Sequence, residues 1–138
     1  MVFQRSIKIS TRDHGEMQDL TERILSLIKE SGVATGTVNV SVVGSTASIS
    51  TIEFEPGLKR DLPEFLDRLI PPSRGYGHEQ TWHDGNGHSH LQATLMGPSI
   101  TLPVKDGELA VGTWQQIILI ENDIRPRLRE VVVTVYGG

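Results

Sequence analysis

Alternation of β-branched and polar residues runs through much of this chain and restricts it to a fold rich in β-strands. Residues 2–10, 35–43 and 47–54 alternate in this way, and a short Gly44-Ser45-Thr46 link between the last two predicts a hairpin or adjacent antiparallel strands. A strand buried on both faces is predicted at 113–121, which contains Ile-Ile-Leu-Ile. Further strands are predicted at 88–96, 99–104 and 129–136.

Two amphipathic helices interrupt this pattern. Apolar residues recur at helical spacing after Asp13, a candidate N-cap, and Ser31-Gly32 is a stop signal. A second helix is predicted at 58–70, with Asp61 as its cap. Two helices among about eight strands predict an α+β class with mostly antiparallel sheets, arranged as a sandwich or barrel.

Length and charge bound the class of protein. The 138 residues are expected to form one domain, 1–138. The net charge of −4 argues against a nucleic-acid binder, and the absence of cysteine excludes disulfides and thiolate zinc sites. No apolar run suggests a membrane span or signal peptide, so we expect a cytoplasmic protein with no membrane partner.

Four of the five histidines fall between residues 78 and 90. If 88–96 is a strand, His88 and His90 project from one face. Their ring nitrogens could then bind one cation together, or donate together to one phosphate. His78, His88 and His90 are therefore candidate ligands for a divalent metal ion, zinc or magnesium. The alternative is that one or two of these rings only make hydrogen bonds in a loop.

Charged residues elsewhere supply further candidates. Glu53 could complete a coordination shell or act as a base, and so could Asp61 unless it only caps a helix. Arg125, Arg127 and Arg129 alternate, so all three would point the same way at the start of a strand. Arg127 is the candidate phosphate ligand, whereas Arg129 is better explained by a solvated edge strand or a subunit salt bridge.

Trp114 could stack on a ring of the ligand, with the Gln115 amide beside it to hydrogen-bond the ligand. The alternative is that the tryptophan only packs in the core or at an interface. Asn86, with the loop glycines around it, could offer backbone amides to an anion. The glycine pattern fits neither a P-loop nor a dinucleotide fingerprint.

Residues 99–115, Ser-Ile-Thr-Leu-Pro-Val-Lys-Asp-Gly-Glu-Leu-Ala-Val-Gly-Thr-Trp-Gln, resemble the signature of the secondary thiamine-phosphate synthase family, the YjbQ-like proteins. Matches in order and spacing extend over nearly the whole chain, and the stretches that carry them are Tyr76-Gly-His78, residues 84–91, Glu121 with Arg125-Pro-Arg127, and Ser45-Thr46-Ala47 with Glu53 and Asp61. Serine stands where the family has the first threonine of Thr-Thr-Ala.

The resemblance implies a sheet-rich α+β homotrimer in which Thr46 belongs to the substrate site. It also implies a weak ability to make thiamine phosphate from a pyrimidine diphosphate and a thiazole phosphate, with metal ions at the histidine site in some members. We therefore expect a metal-assisted enzyme acting on a small phosphorylated metabolite. The rival hypotheses are a trimeric module that binds a metal or anion without turnover, and histidines that only stabilise a subunit interface.

Overall fold

A computed structural model describes all 138 residues. The chain forms eight strands and four helices. The strands are β1 (Val2–Ser10), β2 (Met17–Asp19), β3 (Thr35–Val43), β4 (Ala47–Ile52), β5 (Ser99–Lys105), β6 (Glu108–Leu109), β7 (Gln116–Glu121) and β8 (Leu128–Gly137). The helices are α1 (Thr21–Ser31), α2 (Pro56–Leu69), α3 (Gly77–Trp82) and α4 (Gly87–Met96).

The strands form two antiparallel sheets. The larger has the order β1-β8-β3-β5-β6 and the smaller the order β2-β7-β4. The predicted α+β class with antiparallel sheets is therefore confirmed. The predicted hairpin or adjacent antiparallel pair at 35–54 is wrong, because β3 and β4 belong to different sheets. No helix is both long and apolar enough to cross a membrane.

The main core lies between the two sheets and α1. Valines on the inner face of the larger sheet meet Ile24 and Ile28 of α1 and one face of β7, through Ile117 and Leu119. The opposite face of β7 presents Ile118 and Ile120 to a smaller apolar cluster that includes side chains of α2 and α4. The prediction that this strand is buried on both faces is confirmed.

The first helix begins later than predicted. Met17 to Asp19 pair with β7 as a strand, so Asp13 cannot be the cap. Instead, Asp19 accepts hydrogen bonds from the backbone N–H and the hydroxyl of Thr21, at 2.9 and 2.6 Å. The apolar spacing alone does not reveal this, because Met17 is buried in either conformation.

The second helix begins earlier than predicted. The side chain of Glu55 accepts from the N–H groups of Gly57 and Leu58, and Pro56 occupies the first helical position. Asp61 is therefore an exposed residue inside α2, and its prediction as a cap is wrong. Pro63 also lies inside the helix rather than in its first turn.

The predicted strand at 88–96 is wrong, since this segment is the helix α4. Its buried positions are Gly87, His88, Ser89, Gln92 and Ala93, a spacing of three and four that belongs to a helix. The predicted loop before it contains the short helix α3.

Candidate functional site

A cleft of 380 Å³ opens where three segments of the chain meet. The segments are the link between β3 and β4, the region from α3 into α4, and the chain around the start of β8. The side chains and backbone that line the cleft come from Gly44, Ser45, Thr46, His78, Trp82, Asp84, Asn86, His90, Asp123, Arg127 and Arg129.

The carboxylate of Asp123 lies at the floor of this cleft and is 0% exposed. It accepts from the Ile124 N–H at 2.7 Å, the Thr46 hydroxyl at 3.0 Å and the Asn86 amide at 3.3 Å. Burial by itself would raise the pKa of Asp123, but these hydrogen bonds and one from Arg127 outweigh it and lower the pKa. Asp123 is therefore a fixed negative charge under the cleft.

Arg129 forms a buried ion pair beside Asp123. Its guanidinium donates to both carboxylate oxygens of Glu121 and to the carbonyl and hydroxyl oxygens of Thr46. Glu121 also accepts from the Thr11 hydroxyl at 2.6 Å. The explanation of Arg129 as an exposed edge residue or a subunit salt bridge is wrong, because both members of the pair are buried within one chain.

Arg127 supplies the accessible positive charge. Its Nε lies 2.9 Å from Asp123 Oδ2, and its side chain remains 43% exposed at the cleft. Arg125 approaches the same carboxylate, with its Nη1 3.9 Å from Asp123 Oδ1, and donates to the backbone oxygen of Asp84 at 2.7 Å. The strand alternation expected of the three arginines is wrong, since β8 begins only at Leu128 and Arg125 and Arg127 precede it. Arg125 and Arg127 nevertheless both approach Asp123.

His78 of α3 and His90 of α4 face each other in the cleft, with ring centroids 4.4 Å apart. Burial lowers the pKa of His90, as does the neighbouring His78, while Asp123 and Asp84 act in the opposite direction. The His78 Nε2 lies 3.2 Å from Asp84 Oδ1, and neither atom has a hydrogen-bond partner. The buried Oδ1 of Asn86 is also without a partner. Acceptors and imidazole nitrogens thus remain available to a ligand.

His88 does not join this pair. Successive helical positions turn by about 100°, so His88 and His90 project from nearly opposite sides of α4. The prediction that His88 and His90 project from one strand face and bind a ligand together is therefore wrong. His88 is buried against His14, and the centroids of the two rings are 5.3 Å apart. The structure does not bring the predicted trio of histidines together, and no group of three His, Asp or Glu side chains is arranged around one point as a metal site.

A metal in the cleft would therefore rest on two of the three predicted histidines. The nitrogens of His78 and His90, with the carboxylate of Asp84 beside them, are the donors that a borderline cation such as zinc accepts. Magnesium prefers oxygen ligands, so this pair of imidazoles suits it poorly.

Several predicted residues lie outside the cleft. Glu53 and Asp61 are exposed, and Trp114 is 70% exposed. Gln115 hydrogen-bonds Thr51 and the Gly112 N–H. Glu53, Trp114 and Gln115 lie near the far end of the β4–β7 ladder, since Ile52 pairs with Gln116 whereas Ala47 pairs with Glu121 next to the cleft. Asp61 lies inside α2.

The sequence reasoning missed other residues of the site. Trp82, exposed at the cleft rim, takes the place expected for Trp114. The sequence does contain an indication of Asp123. The polar run Glu-Asn-Asp directly follows an apolar strand, and such a run marks the point where a buried strand meets polar surroundings. His14, assigned no role from the sequence, contacts His88 from the loop between β1 and β2.

The fold and cleft define a class of protein: an α+β domain of two antiparallel sheets with a charged cleft at one end of the smaller sheet. The family model described as "UPF0047 protein YjbQ-like" matches residues 5–138. The chain belongs to this family.

Relatives from archaea support the assignment along almost the full length. A UPF0047 protein of Methanocaldococcus jannaschii is 38% identical over 138 residues, covering 99% of this chain and 95% of the relative. Another, from Archaeoglobus fulgidus, is 36% identical over 127 residues, covering 92% and 96%.

Solved structures agree with the fold. A YbjQ-like protein of unknown function from Sulfolobus solfataricus superposes with a TM-score of 0.93 at 33% identity, over 100% of this chain and 99% of that one. A YjbQ/UPF0047 family protein from Clostridium acetobutylicum gives 0.83 at 34% identity, over 97% and 99%. The names of these four relatives state the family and no activity.

Proposed function

We propose that the cleft binds the phosphate group of a small metabolite and that the protein is an enzyme with thiamine-phosphate synthase-like activity. The observation that carries the phosphate part is the position of Arg127. Its guanidinium is held by the buried Asp123 and stays accessible in the same cleft as His78 and His90. Guanidinium groups held in this way are well suited to phosphate oxygens.

The proposed reaction joins two phosphorylated substrates. The ring nitrogen of the thiazole phosphate attacks the methylene carbon of the pyrimidine diphosphate, and the carbon–oxygen bond breaks as pyrophosphate leaves with the bonding electrons. Negative charge grows on the leaving oxygen, so Arg127 and the imidazoles have their effect on this step. Trp82, at the rim, would flank the aromatic ring of the substrate.

A divalent ion fits this proposal as an additional positive charge. His78 and His90 would hold it, and zinc matches their nitrogen donors better than magnesium. When bound, the ion would neutralise charge on the phosphate oxygens. Burial and the neighbouring His78 lower the pKa of His90, which favours the neutral ring that binds a cation.

The test is thiamine phosphate formation measured by mass spectrometry, together with phosphate and pyrophosphate binding by calorimetry. Arg127→Gln should weaken pyrophosphate binding about tenfold to hundredfold, because a hydrogen bond to a charged group is lost. His90→Ala should abolish product while circular dichroism remains unchanged. Arg5→Gln is the matched control, since Arg5 is an exposed arginine paired with Glu30 far from the cleft.

The outcomes separate the proposals. Product formation that is unchanged in His90→Ala would remove the cleft from consideration as an active site. Pyrophosphate binding without product after prolonged incubation would favour a binding module without turnover.

We also propose that the chain assembles as a homotrimer. Exposed apolar side chains on α2 and α4, namely Phe65, Leu69, Leu91 and Leu95, support an association surface. Native mass spectrometry should give three times the chain mass of 15.2 kDa. A single-chain mass at micromolar concentration would refute the trimer.

A further inference from the structure

A second cluster of polar side chains lies on the side of α4 opposite the cleft. It brings together His14 from the loop after β1, Asp67 from α2 and His88 from α4. The Nε2 of His14 is 2.8 Å from Asp67 Oδ1. The side chains of His14 and Asp67 are 21% and 34% exposed, so the cluster is open to solvent on one side.

The ring of His88 is buried and makes no hydrogen bond. It is 2% exposed, yet neither ring nitrogen has a partner. Buried polar atoms are nearly always satisfied, because one left without a partner has lost its hydrogen bonds to water without replacement. Both ring nitrogens of His88 are therefore free to bind a ligand.

The surroundings of His14 resemble those of a metal ligand. Its Nδ1 lies 2.7 Å from the backbone oxygen of Asn122, which requires Nδ1 to carry the hydrogen. In the neutral ring, Nε2 then carries a lone pair that faces a carboxylate oxygen. Because the two atoms are only 2.8 Å apart, a cation bound to both would lie to one side of the line that joins them. Metal-binding histidines commonly donate their other nitrogen to a carbonyl in this way.

The carboxylate of Asp67 is held in a fixed position beside the two histidines. Gln92 donates to Asp67 Oδ1 at 2.8 Å and to the Ile70 backbone oxygen at 3.0 Å, which fixes the carboxylate. The rings of His14 and His88 have centroids 5.3 Å apart. Two imidazoles that bind one zinc ion at tetrahedral angles place their centroids about 5 Å apart.

We propose that His14, His88 and Asp67 form a binding site for a zinc-like divalent cation, separate from the cleft. The three side chains do not yet surround one point, so the ring of His88 must turn toward the other two. That rotation breaks no hydrogen bond, because neither of its nitrogens makes one. Two imidazoles and one carboxylate select a borderline cation over magnesium or calcium and leave an open coordination position.

Such an ion would connect three parts of the chain that are distant in sequence. The loop after β1, α2 and α4 would be fixed to one another through His14, Asp67 and His88. Because α4 also carries His90, and Asn86 directly precedes it, the cation would hold in place the helix that supplies one side of the cleft.

The test uses the full chain dialysed against chelator, with zinc added during calorimetry and thermal unfolding. The wild-type protein should bind zinc and unfold at a higher temperature in its presence. His88→Ala and Asp67→Asn should each lower the zinc affinity at least about tenfold. Asp61→Asn is the matched control from the same helix as Asp67, because its carboxylate is exposed and belongs to neither site, and it should keep the zinc affinity.

Crystals of the wild-type protein grown with zinc provide a measurement that needs no variant. Anomalous scattering at the zinc edge should place the ion between His14, His88 and Asp67. An ion found only between His78 and His90, or zinc affinity lost in His90→Ala but not in His88→Ala, would overturn the proposal while supporting the metal in the cleft. Absence of zinc binding in the wild-type protein would overturn both.

Discussion

Replacing Arg129 by methionine should strongly destabilise the protein. The side chains of Arg129 and Glu121 are 7% and 0% exposed, and the guanidinium makes four hydrogen bonds. Methionine removes all of them and leaves the carboxylate of Glu121 buried without a counter-charge. The Glu121 carboxylate would then accept only from the Thr11 hydroxyl at 2.6 Å and the Asp123 N–H at 2.9 Å.

The magnitude follows from this geometry. Removing one partner of a buried, hydrogen-bonded ion pair costs about 3–5 kcal/mol. For a chain of 138 residues, this corresponds to a fall of about 10–15 °C in Tm. Loss of the hydrogen bond to the Thr46 carbonyl should add little to the loss of stability, because that oxygen still accepts from the Asn122 N–H at 2.9 Å.

Urea unfolding followed by circular dichroism measures the effect. Arg5→Met is the matched control: Arg5 and Glu30 are 50% and 54% exposed, so their loss should change the free energy of unfolding by less than about 1 kcal/mol. The double variant Arg129→Met/Glu121→Gln should be more stable than Arg129→Met alone, because the buried charge is gone. If Arg129→Met is no less stable than Arg5→Met, the reasoning about this pair is wrong.

Three further predictions concern stability. Hydrogen bonds lower the pKa of Asp123 in the folded state, so its contribution is present above the unfolded pKa of about 4 and is lost as the pH falls through the folded pKa. Asp123→Asn should therefore flatten the decline of unfolding free energy between neutral and strongly acidic pH, as measured by urea titrations. Glu55→Ala removes the cap of α2 and should speed hydrogen exchange of the amides in its first turn, with a lower Tm. Gly36→Ala would place a Cβ 2.0 Å from the Tyr136 backbone oxygen, so it should lower the midpoint of urea unfolding; an unchanged midpoint would contradict this close approach of β3 and β8.

The sequence predicts most of the fold where hydrophobic periodicity alone decides. The alternation in β1 and β3 and the double-sided burial of β7 are visible in the residue pattern, because one or both faces of each strand meet the core. The α4 segment was predicted wrongly because its apolar residues are few and its buried face includes His88, Ser89 and Gln92. Polar residues on a buried face carry no hydrophobic signal.

The candidate site was predictable only in part. Histidine clustering points to the correct region, and His78 and His90 do meet. Which histidines meet depends on whether residues 88–96 turn by about 100° or 180° per residue, so an incorrect element type assigns His88 to the wrong partners. The contact between His14 and Asp67 joins segments 53 positions apart and depends on tertiary packing, which local spacing cannot reveal.

The position of β8 has a consequence for how the chain acquires its structure. This final strand lies between β1 and β3, and its valines Val131, Val133 and Val135 complete the core. While a ribosome is still adding residues before Leu128, β1 has no neighbour in the sheet and one edge of β3 is unpaired. The larger sheet can therefore be completed only after residues 128–137 have been synthesised, and a chain terminated before Leu128 would expose unpaired edges of β1 and β3 to chaperones or to other nascent chains.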